Sequence, residues 1–225
     1  MLAVRHRDDL APDLAPIAGL LVRRENDPAV MAALQNRSEM EMAARFAAGD
    51  RAYIAVLDGE AAAFGWVATR VASIGELNAA FGIPEGERYL WNFVTVRAHR
   101  GKGIYPRLVD AIVRAESSEA HRFWIAYAPE NYASGAGIRK AGFATVAELS
   151  FDSSGRPAVA GSITDDGAAA AAVLGLPQAT ETLSRCWRCA RSARSALGSA
   201  ARAEMSCTDG GCACDYQRPE VVCAA

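Results

Sequence analysis

Two short stretches of this chain place chemically capable residues at meaningful spacings. The first is Arg100-Gly101-Lys102-Gly103-Ile104-Tyr105, which follows an apolar run and precedes an amphipathic one. A strand, a glycine-rich turn and a helix together make an anion site. The glycines let the backbone approach a ligand, and the free N–H groups of the first helical turn point at it. The helix dipole favours the same charge. The second stretch is cysteine-rich: Cys186-Trp187-Arg188-Cys189 puts two thiols on one face of a helix, and Cys212-Ala213-Cys214 offers two more from a glycine-flanked turn. Cys186, Cys189, Cys212 and Cys214 would supply the four sulfurs of a structural zinc site. The alternative is an alanine- and arginine-rich extension whose thiols stay reduced. No cysteine precedes Cys186, so the larger part of the chain folds without covalent help.

The elements that position the first motif follow from periodicity. Leu2–Arg7 alternates and could open a sheet. Leu14–Arg24 and Ala29–Ala48 read as helices, the second from the recurrence of Val30, Met31, Ala33, Leu34, Met40, Met42 and Phe46. Tyr53–Leu57 and Ala61–Val71 are strand-like and joined by Asp58-Gly59, a hairpin turn signal. Ser73–Arg88 reads as a loop broken by Gly82, Pro84 and Gly86. Tyr89–Val96 is the kind of run that suits a central strand covered on both faces. After the glycine loop, Leu108, Val109, Ile112 and Val113 mark a helix. Phe123–Ala128 is a buried-type strand, Tyr132–Ala141 a short helix ending at Gly142, and Phe143–Phe151 with Pro157–Ile163 a closing hairpin. Composition then changes near residue 164, dividing the chain into a folded domain, 1–164, and a cysteine-containing extension, 165–225.

Global properties narrow the partners. A net charge of −2 gives no footprint for nucleic acid or an acidic membrane. No run approaches the roughly 18 apolar residues of a membrane helix. The charged start of the chain is unlike a signal peptide, so a cytoplasmic location is the default expectation. The glycine loop lacks the full Gly-x-Gly-x-x-Gly of dinucleotide-binding enzymes and the Gly-Lys-Ser/Thr of Walker-type NTPases.

The run Val96-Arg97-Ala98-His99-Arg100-Gly101-Lys102-Gly103-Ile104-Tyr105 resembles the coenzyme A loop of the GNAT superfamily of N-acyltransferases. That pattern is Arg or Gln, two residues, Gly, one residue, then Gly or Ala; Arg100 and Gly103 fill it, and Tyr105 stands where Gly or Ala is usual. Asn131, Ser134 and Arg139-Lys140-Ala141-Gly142-Phe143 resemble the family's second cofactor-contacting helix. The resemblance covers roughly residues 1–163. It implies an α/β (α+β) fold, with a mixed, mostly antiparallel central sheet carrying helices on both faces. It also implies acetyl-CoA or another acyl-CoA as co-substrate and direct attack by an amine on the thioester. The acceptor is expected to be a small-molecule or peptide amine, with no nucleic acid or membrane partner and a homodimer left open.

Carried over residue by residue, the resemblance assigns the backbone of Val94, Thr95 and Val96 to the pantetheine arm. The N–H of Val96 or its neighbour would polarise the thioester carbonyl. Arg100, Gly101, Lys102, Gly103, Ile104 and Tyr105 would hold the pyrophosphate, with Asn131 and Ser134 completing the contacts. Two expected side chains are replaced. Ile138 stands where relatives carry a tyrosine acid, and Asn92 where they carry a carboxylate base. An amide orients water but does not accept a proton at neutral pH. Tyr132 and Tyr127 are therefore the candidate acids, with Tyr105 as a possible cover over the phosphates; Glu87 and Glu130 are the candidate bases. Trp91 and Phe93 could line an acceptor pocket. The replacements also admit a coenzyme A-binding sensor that has lost turnover, or a carrier for a metal-binding tail.

Overall fold

The computed structural model describes residues 1–160, 165–179 and 186–188. In chain order the strands are β1 (Leu2–His6), β2 (Leu20–Glu25), β3 (Arg51–Leu57), β4 (Glu60–Ala68), β5 (Val71–Ile74), β6 (Ala79–Gly82), β7 (Glu87–Thr95), β8 (Arg122–Ala126), β9 (Ala144–Phe151), β10 (Pro157–Ala160) and β11 (Gln178–Ala179). The helices are α1 (Pro28–Gln35), α2 (Glu39–Ala47), α3 (Ile104–Glu116), α4 (Tyr132–Lys140) and α5 (Asp165–Leu174). Among the described residues one sheet has nine strands in the order β11-β10-β9-β1-β8-β7-β4-β3-β2, and β5 and β6 form a separate hairpin. All neighbours in the large sheet are antiparallel except β7–β8 and β10–β11. This is the mixed, mostly antiparallel sheet expected.

Strand alternation sorts the core into two layers. Ala3, Leu90, Phe123 and Ile125 face one way, where Ile104, Leu108, Val109, Ile112 and Val113 of α3 and Ile138 of α4 cover them. Leu2, Val4, Tyr89 and Trp124 face the other way, toward the β5–β6 hairpin and Ala170 and Leu174 of α5. Met31 of α1 and Met42 of α2 pack on Ile54, Phe64 and Trp66 on that second side. Each such fully buried aliphatic side chain stabilises the fold by about 1.5–3 kcal/mol relative to exposure. Beyond residue 164, α5 and the buried Trp187 pack in this second layer, and β11 extends the sheet beside β10. Among the described residues no helix is long and apolar enough to cross a membrane.

Three local expectations change. The helix expected over 14–24 is instead a turn followed by edge strand β2, paired with β3 from Leu20↔Leu57 to Glu25↔Ala52. Pro16 and Gly19 oppose a helix there, and Gly19 adopts φ +73 where a Cβ would lie 2.0 Å from Asp58 Oδ1. The single helix over 29–48 is two, because Asn36 turns left-handed at φ 51 and Ser38 caps a new start by accepting from Glu41 N at 3.2 Å. The stretch 73–88, expected as a loop, instead holds most of the β5–β6 hairpin, which starts at Val71 and turns through Asn78 at φ 51, and the first residues of β7.

Candidate active site

The site opens where β7 leaves its neighbour. Parallel pairing of β7 with β8 runs from Glu87↔Arg122 to Leu90↔Ile125 and stops. Beyond it, Trp91 to Thr95 are half-exposed, whereas the first part of the strand is buried. On the other side β7 stays paired to β4, but with an irregularity: Trp66 pairs with Trp91 and Phe64 with Val94, so Gly65 alone faces Asn92 and Phe93. That is a β-bulge, one extra residue that bends the strand. Asn92 supplies the backbone turn at φ 51, a conformation Asn tolerates better than most residues. Gly65 supplies the room, since a Cβ there would stand 2.1 Å from the Phe93 ring.

Asn92 is therefore a shaping residue, and its side chain is engaged. Its Nδ2 donates to Gln35 Oε1 at 2.9 Å, tying the bulge to the end of α1. Arg45 of α2 also donates to Gln35 Oε1, at 3.3 Å, and its guanidinium lies over Trp91 and Trp66, 4.9 and 5.3 Å from the ring centroids. Gln35, Arg45 and Gly65 escaped sequence reasoning because only the fold brings them to the bulge. An asparagine inside an apolar strand was the available signal.

At the end of β7 the backbone groups of Val96 are both in use: its N–H donates to Ala62 O at 2.9 Å, and its carbonyl accepts from His99 N at 2.8 Å. Of the two amides expected to polarise the thioester carbonyl, Val96 N–H or its neighbour, that of Val96 is thus engaged by Ala62. Amides alternate sides along a strand, so Thr95 N–H points to the edge where pairing with β8 has ended. A turn over Arg97–His99 then leads to Gly101 at φ 78 and Gly103 at φ 72, and α3 begins. Gly103 is the N-cap and offers no side chain to the first turn, so among the described residues the orphan amides of α3 have no side-chain cap. Around them stand Arg100, whose Nε donates to Thr95 O at 3.2 Å, and Lys102, whose Nζ lies 3.4 Å from His99 Nδ1. Arg107 braces the turn by donating to Gly103 O at 2.7 Å and to Ala15 O at 2.8 Å. Uncapped amides, two left-handed glycines and several cations suit a diphosphate.

The second wall is α4. Asn131 is its N-cap and accepts from Ser134 N at 3.1 Å. Ser134 Oγ lies 3.5 Å from the Tyr105 hydroxyl, so the helix and the glycine loop meet directly. Ile138 is fully buried in the core. Of the candidate acids, Tyr127 is buried with its hydroxyl 3.0 Å from Thr145 Oγ1, whereas Tyr132 is 69 % exposed. Tyr132 borders a 240 Å³ pocket with Met1, Tyr127, Pro129, Gly135, Arg139 and Glu148. Phe93, suggested as an acceptor-pocket residue, packs with the α3 layer, whereas Trp91 faces α2.

Neither candidate base is free. Glu87 begins β7 at the far end from the loop and accepts from Trp124 Nε1 at 2.5 Å and Arg122 at 3.2 Å. Glu130 is buried and accepts from the N–H groups of Trp187 and Arg188 at 3.1 and 3.2 Å. Both carboxylates are anchors. Of the proposed zinc ligands, Cys186 is buried, and Cys189, Cys212 and Cys214 lie outside the described residues. Among the described residues no group of three or more His, Cys, Asp or Glu is placed to hold a metal ion.

Comparison with known proteins places this arrangement. The family model described as Acetyltransferase (GNAT) family matches residues 18–143. No curated protein matches the chain. A solved GNAT-family acetyltransferase from Streptococcus pneumoniae is 16 % identical with a TM-score of 0.44, the match covering 58 % of this chain and 88 % of that one. One from Elizabethkingia anophelis with acetyl-CoA bound is 10 % identical with a TM-score of 0.45, covering 61 % and 83 % respectively. A GCN5-related N-acetyltransferase from Kribbella flavida is 18 % identical with a TM-score of 0.40, covering 64 % and 52 %. Because the family model spans more than half the chain, from the edge strand through the bulge and glycine loop to the end of α4, the chain belongs to the GNAT family of acetyltransferases.

Proposed function

We propose that this protein transfers an acetyl or other acyl group from acyl-CoA to a primary amine of a small molecule or peptide. The observation that carries the reading is the uncapped N-terminus of α3, placed beside the edge that β7 exposes after Leu90. The backbone of Arg100 to Tyr105 holds the pyrophosphate, and Val94 to Val96 run beside the pantetheine arm, with Asn131 and Ser134 on the facing helix. Thr95 N–H is the donor aimed at the developing oxyanion. The amine attacks the thioester carbon, the C–N bond forms and the C–S bond breaks. A proton leaves the amine to water, and Tyr132 supplies one to the departing thiolate. Positioning and desolvation carry most of the acceleration, since no free carboxylate from the candidate set reaches the bulge.

Incubation with acetyl-CoA and an amine panel, with mass spectrometry of the products, tests this. Acylated amine with stoichiometric coenzyme A is the expected result; acetyl-CoA binding without product for any amine overturns it. The commitment of Glu87, Glu130 and Asn92 to structural contacts favours one second reading, a coenzyme A-binding sensor without turnover. Binding without product supports that reading instead.

A further inference from the structure

The side chain of Gln35 is held by partners whose polarity is fixed. Its Nε2 donates to Met31 O at 3.2 Å and to Met42 Sδ at 3.1 Å, a carbonyl and a thioether that only accept. Its Oε1 accepts from Arg45 at 3.3 Å, and a guanidinium only donates. The Gln35 amide is thereby oriented at both ends. The group that Asn92 turns toward Oε1, at 2.9 Å, must then be its donor, Nδ2. Nitrogen and oxygen lie on opposite sides of an amide carbon, so Asn92 Oδ1 is directed away from Gln35. Among the described residues no donor meets it. Asn92 is half-buried, on the part of β7 that opens to solvent. It spends its nitrogen on holding the bulge and keeps an oriented acceptor three residues before Thr95, whose N–H serves the thioester oxygen.

We propose that Asn92 Oδ1 accepts an N–H of the incoming amine, and that Gln35 is the positioning residue that keeps this oxygen turned toward it. The proposal rests on the acyltransferase reading above. A neutral primary amine attacks through its lone pair and keeps two N–H groups. Oδ1 accepts one of them and so restricts the direction of the lone pair. As the C–N bond forms, the nitrogen gains positive charge, and a hydrogen bond from a charged donor is roughly twice as strong as a neutral one. The contact therefore strengthens on the way to the transition state and acts on kcat as well as on KM. The C–S bond breaks, and the proton passes from nitrogen to water, since an amide oxygen does not take it at neutral pH.

The test is steady-state kinetics of the full chain with the best acceptor from the amine panel, alongside calorimetric acetyl-CoA affinity and circular dichroism. Asn92→Gly suits the φ of 51 and removes the oxygen. Its kcat/KM for the amine falls about 10- to 100-fold, most of it in kcat, with acetyl-CoA affinity unchanged. Gln35→Leu frees the Asn92 amide to turn and lowers kcat about tenfold, whereas Gln35→Glu keeps an oxygen toward Asn92 and stays within about threefold of the wild type. A purely structural Gln35 would lower Tm in both variants and spare kcat below the transition. If the wild type acylates the amine and Asn92→Gly does so with undiminished kcat/KM, Oδ1 does not hold the substrate and the proposal is overturned. Equal losses of kcat in Gln35→Leu and Gln35→Glu overturn the positioning role. A fall in acetyl-CoA affinity that accounts for the whole loss in Asn92→Gly places the effect in the cofactor groove and overturns the amine contact. If the wild type binds acetyl-CoA and acylates no amine, the acyltransferase reading falls and this contact falls with it.

Discussion

Gly103→Asp separates ligand binding from folding at one atom. Gly103 sits at φ 72, where a non-glycine residue costs about 1 kcal/mol, somewhat less for Asp, which also caps helices well. A Cβ at this position would lie 2.7 Å from the flexible Arg107 guanidinium, which already donates to Gly103 O. That group can turn to meet the new carboxylate, returning about 0.2–1 kcal/mol. The apo protein should therefore lose no more than a few degrees in Tm. Ligand linkage should change completely. Acetyl-CoA at about 100 times Kd stabilises the wild type by about 2.7 kcal/mol. For a chain of this size that is about 5–11 °C. In the variant the carboxylate faces the site of the pyrophosphate, between the free amides of α3 and the ligand's own negative charge. The thermal shift should vanish. Differential scanning calorimetry with and without acetyl-CoA reads both effects; an undiminished shift in Gly103→Asp would refute the placement of the diphosphate on this turn.

Tyr132→Phe should lower kcat about 10- to 100-fold with little change in acetyl-CoA affinity, and a near-normal rate returns this exposed ring to a surface role. Glu116→Gln should destabilise the fold by about 3 kcal/mol in urea unfolding while leaving acetyl-CoA binding intact. Glu116 is 1 % exposed and accepts from Tyr53 at 2.6 Å, Arg51 at 2.6 Å and the buried Arg88 at 3.0 Å, at the opposite end of β7 from the loop. Desolvation pushes the Asp50 carboxyl up from 3.8 to about 6, against the pull of Arg45. The folded state thus holds that proton more tightly than the unfolded chain. Its stabilising contribution is full below the unfolded pKa and is lost as pH rises through about 6. Asp50→Asn should consequently raise Tm above the wild type near neutral pH and match it in acid, and a constant difference across the titration would show that Asp50 is not the responsible group.

The sequence by itself determined the strand–loop–helix motif, because Gly101 and Gly103 between an apolar run and an amphipathic helix admit few other backbones. It also determined the Asp58-Gly59 hairpin, α4 with its Gly142 stop, the alternating strand β1, and β7 and β8 as buried strands of the central sheet. These are local signals, written in residues close along the chain. Where pairing over long separations decides, the sequence was silent or pointed elsewhere. Leu20–Glu25 has a pattern compatible with a helix, and its partnership with β3 made it a strand. Only the fold set Gly65 opposite two residues of β7 and placed Asn92, a candidate catalytic group, at the hinge of a bulge held by Gln35. Only the fold engaged Glu87 with Trp124, and Glu130 with the backbone of Trp187, removing both from the list of bases. Carboxylates are chemically alike in sequence. Whether one is a base or an anchor depends on which donors the tertiary structure brings within hydrogen-bonding distance.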